Sequence, residues 1–161
     1  MKVNKILASN EKRFYNYLID SLVKVVLGII ISVIVGLYAN FTNDVSLYNV
    51  IVEEDSYLKS FLESLIIGVL YYTVIETYTG KSIGKYITKT RVVLEDGSNP
   101  EFSDVFLRSL CRHIPFDAFS FLGEPGKGWH DSLSKTYVID EKKLKEQEAI
   151  KEIDNLGKDI L

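Results

Sequence analysis

Two blocks without a charged residue constrain this chain more than any other feature. They are Val25 to Asn43, "VVLGIIISVIVGLYANFTN", and Leu65 to Ile75. A helix needs about 20 mostly apolar residues to cross the hydrocarbon core of a bilayer. With flanking apolar residues included, the blocks extend to spans of about 14–41 and 61–78. Asp20 and Lys24 fall in the first half of the first span, and Glu63 and Glu76 near the two ends of the second. A cleaved signal peptide is the rival for the first span. Its entry is long and charged, with Asp20 and Lys24 at or inside the apolar part, and no A-x-A site follows, so a retained helix is expected. At 161 residues the chain is one domain. Its 47% apolar content coexists with 25% charged residues only because the two are segregated along the chain.

Lysine and arginine set the orientation. Lys2, Lys5, Lys12 and Arg13 precede the first span, and Lys81, Lys85, Lys89 and Arg91 follow the second. The connection from Asn40 to Leu58 carries Asp44, Glu53, Glu54 and Asp55 and no basic residue. Both basic ends are therefore expected in the cytoplasm and the acidic loop outside. "TGKSIGK" (Thr79 to Lys85) has the ending of a phosphate-binding P-loop, but the required glycine five positions before Gly80 is Ile75, and no strand precedes it. Lys81, Lys85 and Lys89 recur every four residues, so one continuous helix would align them as a basic ridge at the membrane surface. Asn40-Phe41-Thr42 matches a glycosylation sequon at the level of chance.

The stretch "RSLCRHIPFDAFSFLGEPGKG" is apolar but interrupted by Pro115 and Asp117, too short and too polar for an independent span. It is expected to form interfacial or re-entrant helices over about 101–123, with Arg108 and Arg112 at headgroup level and Phe116, Phe119 and Phe121 dipping inward; a true third crossing is the alternative. "RVVL" (Arg91 to Leu94) and "TYVID" (Thr136 to Asp140) read as short strands bounded by turn signals. Residues 141–161 mix both charge signs around Leu144, Ile150, Ile153 and Leu156, as in a solvated cytoplasmic helix.

Small residues recur at four-residue steps in both spans, including Gly28, Ser32 and Gly36 in the first and Ser60, Ser64 and Gly68 in the second. Such ridges let helix backbones approach closely in lipid, so a tightly packed antiparallel hairpin is expected. Ionisable groups within hydrocarbon cost at least about a few kcal/mol unless paired or wetted. Arg13, Asp20, Lys24 and Glu76 are therefore expected to form a buried network, with Asp20 and Lys24 meeting at i, i+4. That network is either a structural clamp or an ion or proton pathway; Glu63, near the outer surface, is read as solvated. His130-Asp131-Ser132 invites a triad reading, but adjacent side chains do not line up as one. Asp131 or His130 is expected instead to reach a basic residue.

With a net charge of −3 nothing points to nucleic acid, and the single Cys111 excludes an internal disulfide. No cofactor motif, metal-ligand spacing or credible nucleophile is present, so no catalytic, cofactor or metal residue is expected. "RFYNYLID" (Arg13 to Asp20), "YYTVIETYTGKSIGKYITKTRVVLEDG" (Tyr71 to Gly97) and "GWHDSLSKTYVI" (Gly128 to Ile139) together resemble the RDD family of small membrane proteins. The resemblance covers roughly residues 13–140 and matches Arg13, Asp20 and Asp131 to the arginine and two aspartates that name the family. The third stretch is less hydrophobic here than in many relatives. For activity the resemblance implies no more than suggested transport of unidentified ligands, including cation/proton exchange.

The expected fold is an all-α integral membrane protein: a two-helix transmembrane hairpin, amphipathic or re-entrant cytoplasmic helices and a short two-strand pairing. Residues 1–140 form the membrane domain and 141–161 a charged tail. The expected role is transport of an ion or small ligand through a homo-oligomer in the bacterial inner membrane. The alternative is an accessory subunit of a larger membrane complex. Membrane lipid is a partner in either case.

Overall fold

A computed structural model describes residues 3–49, 56–114, 117–120 and 127–158. Helix α1 spans Asn10–Thr42, about 50 Å of helix. The Ser9 hydroxyl opens it, accepting from the Lys12 N–H at 3.4 Å. After a single turn, α2 (Ser46–Tyr48), helix α3 runs from Tyr57 to Thr79, about 35 Å. Both long helices have the length and apolarity to cross a membrane. Residues 50–55 of the acidic connection, which include Glu53, Glu54 and Asp55, lie outside the described residues.

Gly80 ends α3 in the left-handed region at φ 69°, a conformation that costs glycine nothing. The chain then folds into a cap. Helix α4 (Ile83–Thr88) leads to strand β1 (Thr90–Leu94), followed by α5 (Phe102–Cys111), the short turns α6 (Asp117–Ser120) and α7 (Trp129–Leu133), strand β2 (Thr136–Asp140) and the tail helix α8 (Glu141–Lys158). The strands pair antiparallel, from Thr90 opposite Asp140 to Leu94 opposite Thr136. The N-terminal segment joins this sheet: Ala8 N–H donates to the Val138 carbonyl and Asp140 N–H to that of Ile6. Val3, Ile6, Val93 and Ile139 form a small apolar core, with Leu144 of the tail against it. Ile150, Ile153 and Leu156 are exposed further along the tail.

The cap covers the first half of α1 and the second half of α3. Arg13, Asn16 and Asp20 are buried in α1, and Gly68, Val69, Tyr71, Tyr72, Thr73 and Glu76 are buried in α3. Beyond Lys24, nearly every apolar side chain of α1 faces outward. Helix α5 is about 15 Å long, half the thickness of the hydrocarbon core. Its apolar residues Phe102, Phe106, Leu107 and Leu110 point out, while Val105, Arg108, Ser109 and Cys111 point in. This inside-out polarity suits a helix whose outer face meets lipid and whose inner face meets buried charge. Phe116 and Phe121 lie outside the described residues.

The glycine ridges do not pack the two long helices together. A Cβ at Gly28 would meet nothing within 4 Å, and one at Gly36 only the Tyr48 ring at 3.9 Å. Gly68 instead accommodates the His113 ring beyond α5, where a Cβ would fall 2.5 Å from Nε2. The closest backbone approach lies elsewhere, at Gly84 on α4. A Cβ there would stand 2.6 Å from the Asn16 carbonyl oxygen and 3.0 Å from Asp20 Oδ1. The expected hairpin seam is thus replaced by a cap helix seated on α1.

This contrast is testable. Gly84→Ala should lower stability by about 1–3 kcal/mol through overpacking against rigid backbone, while Gly28→Ala should change it by less than about 1 kcal/mol. Thermal unfolding in a mild detergent measures both. A Gly28→Ala loss as large as that of Gly84→Ala would restore the hairpin seam.

Candidate functional site

The residues of "GKSIGK" build the inner end of the site one after another. Gly80 turns the chain out of α3, and Lys81 pairs with Glu141 at 2.6 Å. The Ser82 hydroxyl caps α4 and donates to Asp20 Oδ2 at 2.6 Å. Gly84 N–H donates to Asp20 Oδ1 at 2.8 Å, and the Tyr71 hydroxyl donates to the same oxygen at 2.8 Å. Three neutral donors therefore hold the Asp20 carboxylate. It forms no ion pair with Lys24 among the described residues, contrary to the i, i+4 expectation, because Lys24 turns toward the Tyr72 ring, 5.4 Å from its centroid.

Lys85 lies at the centre instead of on the surface. It is 1% exposed and donates to Glu76 Oε1 on α3, itself 1% exposed. Burial pulls the Lys85 ammonium down to about 8, against the opposing pull of Glu76. Lys89 ends α4 in the left-handed region at φ 56° with its side chain exposed. The basic ridge of Lys81, Lys85 and Lys89 therefore does not form: α4 begins only after Lys81 and ends before Lys89, so no single helix aligns the three. One lysine goes to the tail, one to the interior and one to solvent.

Asp131 on α7 carries the second half of the cluster. Arg13 Nη2 donates to its Oδ2 and Arg108 Nη1 to its Oδ1, while Gly128 N–H adds a bond to Oδ2 at 2.8 Å. Arg108 is fully buried. Its Nη1 also donates to Thr136 Oγ1 at 2.6 Å, and its Nε stands 3.7 Å from Glu76 Oε2. Arg108 thus bridges Asp131 to Glu76 in the protein interior instead of being exposed. Arg112, also expected at headgroup level, lies over the Tyr72 ring at 4.2 Å and reaches 3.8 Å from Glu76 Oε1. Burial alone would raise the Asp131 carboxyl; the facing Arg108, His130 and Arg13 outweigh it and hold it well below the ordinary range.

His130 is committed to Asp117, its Nδ1 lying 2.5 Å from Asp117 Oδ2, while Asp117 Oδ1 accepts the His130 N–H at 3.1 Å. Burial brings the His130 pKa down to about 4, helped by Arg112 and Arg108 against Asp131 and Asp117, so the imidazole is neutral at pH 7. Behind the cluster, Asn16 ties α1 to the sheet through Thr90 Oγ1 at 3.0 Å and to the end of α4 through Thr88 Oγ1 at 2.5 Å.

These side chains surround a cavity of about 190 Å³. Arg13, Lys24, Lys85, Arg108 and Arg112 line it with Tyr72 and Ser64, and Asp117 is the one carboxylate on its wall among the described residues. Sequence reading brought Arg13, Asp20, Lys24, Glu76 and Asp131 into view, and all five lie in or beside this cluster. It missed Lys85, Arg108 and Arg112 as interior groups. The available signal was the i, i+4 pair Arg108–Arg112 sharing a helical face with Val105, Ser109 and Cys111, opposite Phe102 and Phe106.

Two consequences can be measured. Asp131→Asn leaves Arg13 and Arg108 facing each other without their shared carboxylate and should cost about 3–5 kcal/mol; folded yield and thermal midpoint report it, and a loss under about 1 kcal/mol would contradict the clamp. The second concerns acid. The folded pKa of His130 lies below its unfolded value near 6.5, so its contribution is complete above about pH 6.5 and is lost as pH falls towards 4. The thermal midpoint should therefore drop across that window, and the drop should be shallower in His130→Gln.

In the comparison with family models, the one described as the RDD family matches residues 7–135. No curated protein and no solved structure matches the chain.

Proposed function

This chain belongs to the RDD family, and from that premise we propose that it is a small membrane protein that binds and transports an ion or small ligand. The observation that carries the reading is the charged cavity of about 190 Å³ between α1, α3 and the cap. A clamp needs paired charges; it does not need space beside them. Here Tyr17, Lys24 and Ser64 line both the cavity and a groove that continues between α1 and α3 past Ser60, Glu63 and Ile67. The groove offers a route from the cavity along the helices.

Two apolar helices are too few to enclose a pathway, which supports a homo-oligomer as the working unit. The basic residues flanking both spans support a bacterial inner-membrane setting with both termini and the cap in the cytoplasm. The N-terminal segment and β2 share one small sheet, consistent with both lying on one side of the bilayer. His130 and Asp131 are committed to Asp117, Arg13 and Arg108, which supports a non-enzymatic role. A second reading, an accessory subunit of a larger membrane complex, draws on the apolar stripe Leu58, Leu62, Ile66, Leu70, Val74 and Tyr78, exposed along α3; lipid covers such a stripe equally well.

Proteoliposome flux separates the two. With labelled phosphate, sulfate and sodium as the panel, at least one solute should move faster than through protein-free vesicles, and Lys24→Gln should slow it. If none moves, and the protein purifies at fixed stoichiometry with one defined membrane partner, the accessory role replaces transport.

A further inference from the structure

We infer that the cavity is a binding site for a small oxyanion of the phosphate, sulfate or carboxylate class, arriving free from solution or as the headgroup of an anionic lipid. The inference rests on the ligand-handling reading above and names its ligand class. Among the described residues, five cationic side chains line the space against one carboxylate, Asp117, and the oxygens of that carboxylate already accept from His130 and Ser120. The other acids of the cluster stand behind the wall. Asp20 accepts from Tyr71, Ser82 and Gly84, Glu76 faces Lys85, and Asp131 faces Arg13 and Arg108.

Two of these cavity-lining cations have donors to spare. Arg108 Nη2 and Arg112 Nε are buried and donate to nothing among the described residues. Arg112 Nη2 is near Glu76 only at 3.8 Å, beyond a hydrogen bond. Lys24 forms no ion pair among the described residues, and its neighbour is the Tyr72 ring. Buried donors without acceptors are costly, and charge-assisted bonds to an oxyanion are the strongest way to satisfy them. Guanidinium groups present a planar fork that suits carboxylate and phosphate oxygens. A cation would meet five like charges, so the wall selects by sign.

Size narrows the class further. The space is smaller than the roughly 300–1,000 Å³ of sites for drug-sized ligands, yet it holds a small oxyanion with several waters. A nucleotide is too large. The adjoining groove past Val25 and Ile67 would receive an acyl chain if the phosphate belongs to a lipid.

The test uses the full chain purified in a neutral detergent. Inorganic phosphate and sulfate are titrated against chloride at matched ionic strength, with thermal midpoint and calorimetry as readouts. In parallel, the protein is placed in nanodiscs of phosphatidylcholine with or without phosphatidylglycerol, and retained lipid is read by native mass spectrometry. Lys24→Gln is the primary variant because it breaks no ion pair, and Arg112→Gln is the second. Phosphate or sulfate should raise the midpoint where chloride does not, with affinity reduced about tenfold or more in Lys24→Gln, the scale of one lost charge-assisted bond. Retention of phosphatidylglycerol alone, weakened in the same variants, keeps the site and assigns the ligand to lipid. The inference is overturned if neither free oxyanion nor anionic lipid binds above the chloride and phosphatidylcholine controls, or if both variants bind as the parent chain does. Flux and binding fail separately: oxyanion binding without flux removes transport and leaves the site, whereas sodium flux without oxyanion binding removes the site and leaves transport.

Discussion

The fold of this protein depends on pairing the ionised side chains that are buried between the two long helices and the cap. An unpaired carboxylate or guanidinium there costs several kcal/mol, so each must find a partner before the fold is stable. The partners come from separate segments: Arg13 from α1, Glu76 from α3, Lys85 from α4, Arg108 from α5 and Asp131 from α7. Arg108 contacts both acids and ties the two halves together. Once these pairs are satisfied, the position of the cap on both long helices is fixed, and the sheet has only to close the ring through Asn16, Thr90 and Thr136. The apolar core of the cap is small, with Val3, Ile6, Val93 and Ile139 at its centre. Polar pairing, more than apolar packing, sets the position of the cap.

How legible this was in the sequence depended on the range of the physics. The apolar blocks were readable because membrane thickness demands length, and the two strands because β-branched residues stand between turn signals. Arg13, Asp20 and Asp131 were readable as charges in improbable places and through the family resemblance. The lysine ridge was not, because a four-residue spacing implies a shared face only while the helix continues, and α4 is so short that Lys81 precedes it and Lys89 ends it in the left-handed region. The glycine ridges failed for a related reason. Small residues permit close approach without specifying what approaches, and here α4 uses Gly84 while Gly28 stays open. Arg108 was placed outside because its helix is too apolar on one face for a soluble cap. With lipid as the outer solvent, that apolar face turns outward and the arginine turns in.

The same arrangement bears on what the protein does. Asp20 and Glu76, the carboxylates first considered for proton or cation exchange, are each held by donors from another segment. Glu76 Oε2 has no hydrogen-bond partner among the described residues but lies off the cavity wall, whereas Arg108 and Arg112, which keep unused donors, line the cavity together. A cluster that began as a candidate proton pathway thus reads as a basic pocket supported from behind by paired acids. The clamp and the pocket are one structure, since the carboxylates that hold the cap also hold the cavity-lining cations in position.

A double-mutant cycle on Glu76 and Lys85 tests this account most directly, because the pair joins α3 to α4 and carries the centre of the cluster. Stability of the parent chain, Glu76→Gln, Lys85→Met and the double variant would be measured by reversible unfolding in one detergent. If buried pairing holds the cap, each single change costs several kcal/mol and the double change recovers part of the loss, leaving a coupling energy above about 1 kcal/mol. Additive losses within about 0.5 kcal/mol would mean that the two charges do not depend on each other, and the account would be wrong.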